Sequence, residues 1–166
     1  MPLTSPIRPY DPTWPQQYAA EEERLKPVFG SALIGMHHVG STAVPELAAK
    51  AEIDVLAVVW SDSGLEDWSR LLATLGYRRG GDLSSGHHFF KRDVDGTRTH
   101  KLHVCRDGHP QIARMLKFRD HLRQNPGDRS RYQNLKLKLE RENGSGIRQY
   151  LIAKDPFIQD ILAKLV

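Results

Sequence analysis

The stretch that most constrains this chain is Ile53-Asp54-Val55-Leu56-Ala57-Val58-Val59-Trp60, an apolar run with one carboxylate at its entrance. A strand facing water on one side alternates apolar and polar residues. A run without alternation reads as a central strand covered on both faces. Such a strand needs layers above and below it, so the chain must wrap helices around a sheet. Asp54 is costly to bury at that position unless it is paired, holds a metal or accepts backbone N–H groups.

A second apolar run, Ala32-Leu33-Ile34-Gly35-Met36, leads through His37-His38-Val39 into Gly40-Ser41-Thr42. It reads as a strand broken by the glycine. Val44 to Lys50 has helical composition and is expected to form a short helix before the Asp54 strand. Strand, Gly-Ser turn, helix and a strand opening with a carboxylate form an anchor for phosphates and a metal, because backbone N–H groups at such a turn bind anions. A neighbouring carboxylate holds the Mg²⁺ that phosphates bring. Gly-Ser-Thr is also an ordinary strand-to-helix turn with Ser or Thr as the cap.

The longer string settles more than the turn alone. His38-Val39-Gly40-Ser41-Thr42-Ala43-Val44-Pro45, continuing through Leu47-Ala48-Ala49-Lys50 to Ile53-Asp54-Val55, resembles the GrpB family of the nucleotidyltransferase-fold superfamily. The resemblance extends through Thr99-His100-Lys101-Leu102-His103-Val104 and Phe118-Arg119-Asp120-His121-Leu122-Arg123. It also covers Tyr132, Leu135-Lys136, Tyr150 and Ala153-Lys154. It implies an α/β domain with a mixed sheet, flanking helices and a helical C-terminal layer. The whole chain, 1–166, is expected to be one such domain, with the α/β core at about 1–108 and the helical part at about 109–166.

The resemblance also implies a chemistry: transfer of a nucleotidyl or phosphoryl group from an NTP, with Mg²⁺ or Mn²⁺, to an acceptor. Gly40, Ser41 and Thr42 would hold phosphate. Asp54, with Glu52, would hold metal. His103 or His100 would assist proton transfer. Lys50, Arg98, Arg119, Lys136 and Lys154 would meet the phosphates. Superfamily members carry two carboxylates as acid-x-acid on the strand after the turn. Here Asp54-Val55-Leu56 lacks the second, whereas Glu52-Ile53-Asp54 has the pattern. The family string usually has an apolar residue at the Glu52 position. No third carboxylate is evident on a later strand. The alternative is therefore a nucleotide- or anion-binding regulatory module that keeps the fold without turnover.

The remaining elements follow from periodicity. A helix runs from Trp14 to about Phe29 behind a cap at Asp11 or Thr13, with Glu21-Glu22-Glu23 on a solvated face. Leu65, Trp68, Leu72 and Leu75 recur at helical spacing and end at Gly76. Gly80 to Gly86 is a loop with the composition of a lid. His87–Arg92 and Thr97–Cys105 form a hairpin around Asp-Gly. On its second arm His100 and His103 face opposite ways, so the pair does not make a zinc site and zinc is not expected. Helices follow at Gln111–Gln124, at Asp128 to Asn143-Gly144, at Ile147–Lys154 and at Pro156–Val166.

Charge sets the class of partner. The net charge is +4, with no basic block, so a nucleotide and a small-molecule acceptor are expected rather than a nucleic acid. No apolar run reaches the roughly 18 residues of a membrane span. One cysteine, Cys105, suits a reducing cytoplasm.

Overall fold

The structure, a computed structural model, describes residues 6–142 and 147–165. Its elements run β1 (Ile7–Arg8), α1 (Trp14–Phe29), β2 (Leu33–Val39), β3 (Ala49–Lys50), β4 (Ile53–Val59), α2 (Leu65–Thr74) and β5 (Tyr77–Arg79). β6 (His87–Val94), β7 (Thr97–Arg106), α3 (Pro110–Gln124), α4 (Pro126–Glu142) and α5 (Ile147–Lys164) follow.

Five strands make a mixed sheet in the order β2-β4-β7-β6-β5. β4 and β7 pair in parallel, and the other neighbours are antiparallel. The unbroken apolar run is β4, second from the edge and covered on both sides. One face carries Val55, Ala57, Leu102 and Val104 against Leu25 and Phe29 of α1 and Trp68 and Leu72 of α2. The other carries Leu56, Val58 and Cys105 against Ile112, Met115 and Leu116 of α3. Beyond β2 and β4, Val44, Leu47, Leu122 and Tyr132 gather with Phe118, Phe157 and Ile158 in a smaller cluster that seats α4 and α5. The mixed sheet with flanking helices and a helical layer after β7 is the architecture expected. The β6–β7 turn has positive φ at Asp95 (52°) and Gly96 (79°), as a tight two-residue hairpin needs. Among the described residues, no helix is long and apolar enough to cross a membrane.

Four local expectations are corrected. Residues 44–50 are not a helix. One tight turn spans Ser41–Ala43, with Ala43 N–H donating to Gly40 O and Val44 N–H to Ser41 O, both at 3.1 Å. Pro45 then forces Val44 out of helical geometry, to φ −111° and ψ 109°, and Glu46 has φ 72°. The chain extends instead into β3, which pairs with β1. The anion-binding helix terminus expected after Ser41 has no helix behind it.

α4 begins at Pro126 rather than Asp128. The Asp128 carboxylate is turned to His121 Nε2 (2.7 Å) and to Arg131. The two last helices are one, α5, with Pro156 inside it. Burial of Tyr150 and Ile161, with Phe157 and Ile158 packed on the small cluster, holds the helix together across the missing N–H.

Glu21 does not lie on a solvated face. It is 4% exposed, accepts from Tyr77 Oη at 2.8 Å and from Arg24 at 2.9 and 3.0 Å, and lies 3.6 Å from both Arg92 and His100. The Asn143-Gly144 end expected for the fourth helix lies outside the described residues.

His38 is buried, stacked on Tyr18 with ring centroids 4.8 Å apart. Its Nε2 lies 3.0 Å from Thr42 Oγ, and that hydroxyl donates its only proton to Glu52 O. His38 must therefore be the donor to Thr42, which fixes its tautomer. Burial pushes its pKa down to about 4. The unfolded chain then takes up a proton before the folded one as pH falls through 6.5. Stability is full above that value and is lost toward pH 4. The loss at pH 5 is about 2 kcal/mol. Urea unfolding at pH 7 and pH 5 should show it, and His38→Gln should reduce the difference by about that amount, leaving the share that buried His103 contributes.

Candidate functional site

A cavity of about 210 Å³ lies between the sheet and the helical layer. Its floor is the Gly40–Thr42 turn, Lys50 at the end of β3, Glu52 and Asp54 at the mouth of β4, and Lys101 from β7. Its roof is Arg119 of α3, Tyr132 and Lys136 of α4, and Tyr150 and Lys154 of α5. Met115, Phe118, Leu122 and Ile158 supply an apolar wall. Nine of the expected site residues line this one space: Gly40, Ser41, Thr42, Lys50, Glu52, Asp54, Arg119, Lys136 and Lys154.

Three others do not. Arg98 is paired with Asp93 near the hairpin turn. His100 points to the opposite sheet face, toward Glu21 and the Tyr77 ring. His103 shares the Asp54 face, but its Nδ1 lies 2.8 Å from His87 Nε2, and burial lowers its pKa to about 3. The strand alternation that separates His100 from His103 is observed, yet neither ring reaches the cavity. The Gly80–Gly86 loop does not line it either.

The site is built by register. Asp54 on β4 stands directly beside Lys101 on β7, and their side chains share a face. Lys101 Nζ lies 3.5 Å from Asp54 Oδ1, and the Asp54 charge raises the Lys101 pKa. The pairing of Lys101 with Asp54 follows from the strand register. Asp54 Oδ1 is shielded from solvent and has no hydrogen-bond partner among the described residues. Lys50 Nζ lies 3.4 Å from Glu52 Oε2.

Gly40 adopts φ 76° and ψ −176°, and a Cβ there would run into Asp54 Oδ2. The turn is thus pressed against the carboxylate. α3 grips the turn from above: Arg119 Nη1 donates to His38 O (3.1 Å) and Arg123 Nε to Ala43 O (2.8 Å). The Thr42 hydroxyl is spent on Glu52 O, so Ser41 carries the turn's available hydroxyl. Lys136 Nζ donates to Ser41 Oγ at 2.9 Å.

The roof lysines are held in a cost-bearing state. Lys136 is 3% exposed, and burial lowers its pKa well below the ordinary value, with Lys154 and Lys50 adding repulsion. Burial lowers Lys154 to about 8, with Lys101 adding to it. Both ammonium groups lie over aromatic faces, Lys136 at 5.1 Å from the Tyr132 ring and Lys154 at 4.9 Å from that of Tyr150. Four lysines and Arg119 converge against two carboxylates. A cavity with that surplus recovers the cost of its buried cations when a polyanion enters.

For a metal, the available donors are hard oxygens. Asp54 and Glu52, two residues apart, both line the cavity, and Asp54 Oδ1, which accepts no hydrogen bond among the described residues, suits a cation such as Mg²⁺. The Lys101 ammonium lies beside that same oxygen and competes for it.

Comparison with known proteins fits this geometry. A family profile described as GrpB protein matches residues 5–164. UPF0157 protein YqkA of Bacillus subtilis is 36% identical over 151 residues, covering 90% of this chain and 44% of the relative. The chain thus spans less than half the length of that relative. The crystal structure of GrpB from Enterococcus faecalis superposes with a TM-score of 0.89 at 32% identity, covering 96% of each chain. A structure of Cid1 in complex with its short product ApU superposes with a TM-score of 0.55 at 13% identity, over 81% of this chain and 43% of that one. The last likeness is one of fold alone.

Proposed function

The chain belongs to the GrpB protein family, and we propose that its cavity binds the phosphate chain of a nucleoside triphosphate and transfers a nucleotidyl or phosphoryl group to a small-molecule acceptor. The observation that carries this is the convergence of Lys50, Lys101, Lys136, Lys154 and Arg119 around Ser41 and Asp54, on a nucleotidyltransferase-like fold. Ser41 and Lys136 meet one phosphate. Lys154, Lys50 and Arg119 neutralise the rest of the chain, and Tyr132 and Tyr150 wall the space beside it. Asp54 and Glu52 would hold Mg²⁺ or Mn²⁺, which supplies charge neutralisation at the transferred group.

A second reading is binding without turnover. Lys101 favours it, because an ammonium 3.5 Å from Asp54 Oδ1 already supplies a positive charge at the carboxylate.

The experiment is a thermal-shift panel of nucleoside triphosphates and pyrophosphate, with Mg²⁺, with Mn²⁺ and with EDTA, on wild type and Asp54→Asn. A ligand at about 100 times its Kd stabilises by roughly 2.7 kcal/mol. For a chain of this size that is about 5–11 °C in Tm. A metal-dependent shift that disappears in Asp54→Asn supports a metal–nucleotide complex bound at Asp54, the arrangement that transfer requires. An equal shift in EDTA and in the variant supports binding alone. No shift with any of these anions sinks both readings.

The shift should also depend on pH. Lys154 is held near 8 in the free cavity, and an anion restores its proton. The Lys154 contribution to affinity is therefore full below pH 8 and falls above it, by up to about tenfold per pH unit.

A further inference from the structure

We propose that the chain has a second ligand site, a transition-metal site of zinc type formed by His87, Cys105 and His109. One donor atom from each side chain lies within 4.8 Å of the others. The three residues come from three elements: His87 opens β6, Cys105 is near the end of β7, and His109 is the residue that caps α3. His87 and Cys105 are direct cross-strand partners, so sheet register alone sets them side by side. His109 is brought over them by the short β7–α3 connection, its ring 5.4 Å from that of His87.

Two nitrogens and a thiolate match the preference of Zn²⁺ and are unlike the oxygens at Asp54 and Glu52. The two places are separated along β7 by Lys101 to Cys105, about 13 Å at strand rise. Zinc chemistry in this chain is thus not a matter of His100 and His103, which stand back to back on one strand. It rests on a pair facing across two strands.

The surroundings suit ligation. His87 and Cys105 are buried, and His109 is half-buried beside the exposed Ser84, which gives a path from solvent. His103 Nδ1 is 2.8 Å from His87 Nε2, the outer-shell contact that fixes a ligand ring. Two existing bonds oppose ligation. His109 Nδ1 accepts from Gln111 N–H at 3.1 Å, and its Nε2 lies 2.8 Å from Ser84 Oγ. Ligation through Nε2 moves the ring proton to Nδ1 and exchanges both bonds. Burial also raises the Cys105 thiol pKa to about 12, a cost the sulfur–metal bond must offset as the thiol gives up its proton to solvent; water fills the fourth position.

The test uses the full chain, stripped with chelator and dialysed against Co²⁺ or Zn²⁺. Expected are one equivalent of zinc per chain and, with Co²⁺, a thiolate-to-cobalt charge-transfer band. The band should be absent in Cys105→Ala. Loss of outer-shell partners alone weakens metal sites 10–100-fold, so His109→Ala, at a half-buried position, should weaken binding by at least about tenfold. Asp54→Asn should keep the band, which separates this site from the cavity. Far-UV circular dichroism of each variant checks that it is folded. A Cys105→Ala protein that still binds one equivalent of zinc with wild-type affinity, or a wild type that retains no metal after dialysis, overturns the proposal. So does a folded His109→Ala with wild-type affinity.

Discussion

Replacing Glu21 with Ala should lower the folding free energy by about 3–5 kcal/mol, the range for stripping one partner from a buried ion pair. The reason is the company it keeps. Its carboxylate is 4% exposed and is shared by Tyr77 on β5, Arg92 on β6, His100 on β7 and Arg24 on its own helix. Removing it leaves the Tyr77 hydroxyl and two cations facing an apolar layer. Arg24 keeps partial access to water, which places the loss toward the lower end. For a domain of this size, about 3 kcal/mol corresponds to roughly 6–12 °C in Tm. Glu21→Gln retains an acceptor for Tyr77 but no charge for Arg92, so it should fall between. Glu23→Ala, two residues on and exposed, should change Tm little. Equal losses for Glu21→Ala and Glu23→Ala would show that the buried network contributes nothing.

The second large effect is expected at Gly40. Its φ of 76° with ψ near 180° belongs to a region open only to glycine, and other residues pay on the order of 1–3 kcal/mol there. A Cβ would in addition strike the Asp54 carboxylate. Gly40→Ala must therefore move the turn or the carboxylate, and either displaces Ser41 from Asp54. The expected result is a loss of stability of about 3 kcal/mol together with loss of the nucleotide-induced Tm shift. Gly35→Ala is the control: it lies on β2, the strand that leads into Gly40, and its Cβ would meet only the His37 ring at ordinary distance. A Gly40→Ala protein with wild-type stability and ligand response would mean that turn and carboxylate do not act together.

These residues also show where sequence reasoning stops. The β4 run, its entry carboxylate, the Asp-Gly hairpin and the alternation along β7 depend on local pattern, and each was legible. Glu21 was not, because its partners arrive from three strands far along the chain. A lone run of three glutamates gives no sign that one turns inward. The segment after Ser41 has helical composition, and Pro45 overrides it through the backbone of Val44. Pro156 argues for two helices, and packing of α5 against Tyr132 and Leu122 overrides it. At the site, Lys136 and Lys154 were visible only through the family string. The Asp54–Lys101 pair required knowing that β4 and β7 lie side by side in parallel.

That parallel pairing governs how the chain reaches its folded state. β4 and β7 are adjacent in space, but α2, β5 and β6 intervene between them in sequence. Antiparallel β6–β7 closes through a two-residue turn, at a small loop-closure cost. β4–β7 must wait for a long segment to be ordered first, the step that slows folding in sheets of high contact order. Until then β4 presents its apolar run unpaired on one edge, and Asp54 lacks Lys101. The electrostatic centre of the cavity therefore carries the larger chain-closure cost of the two pairings. A polyanion that requires both residues would act on the finished protein, slowing its unfolding rather than hastening its folding.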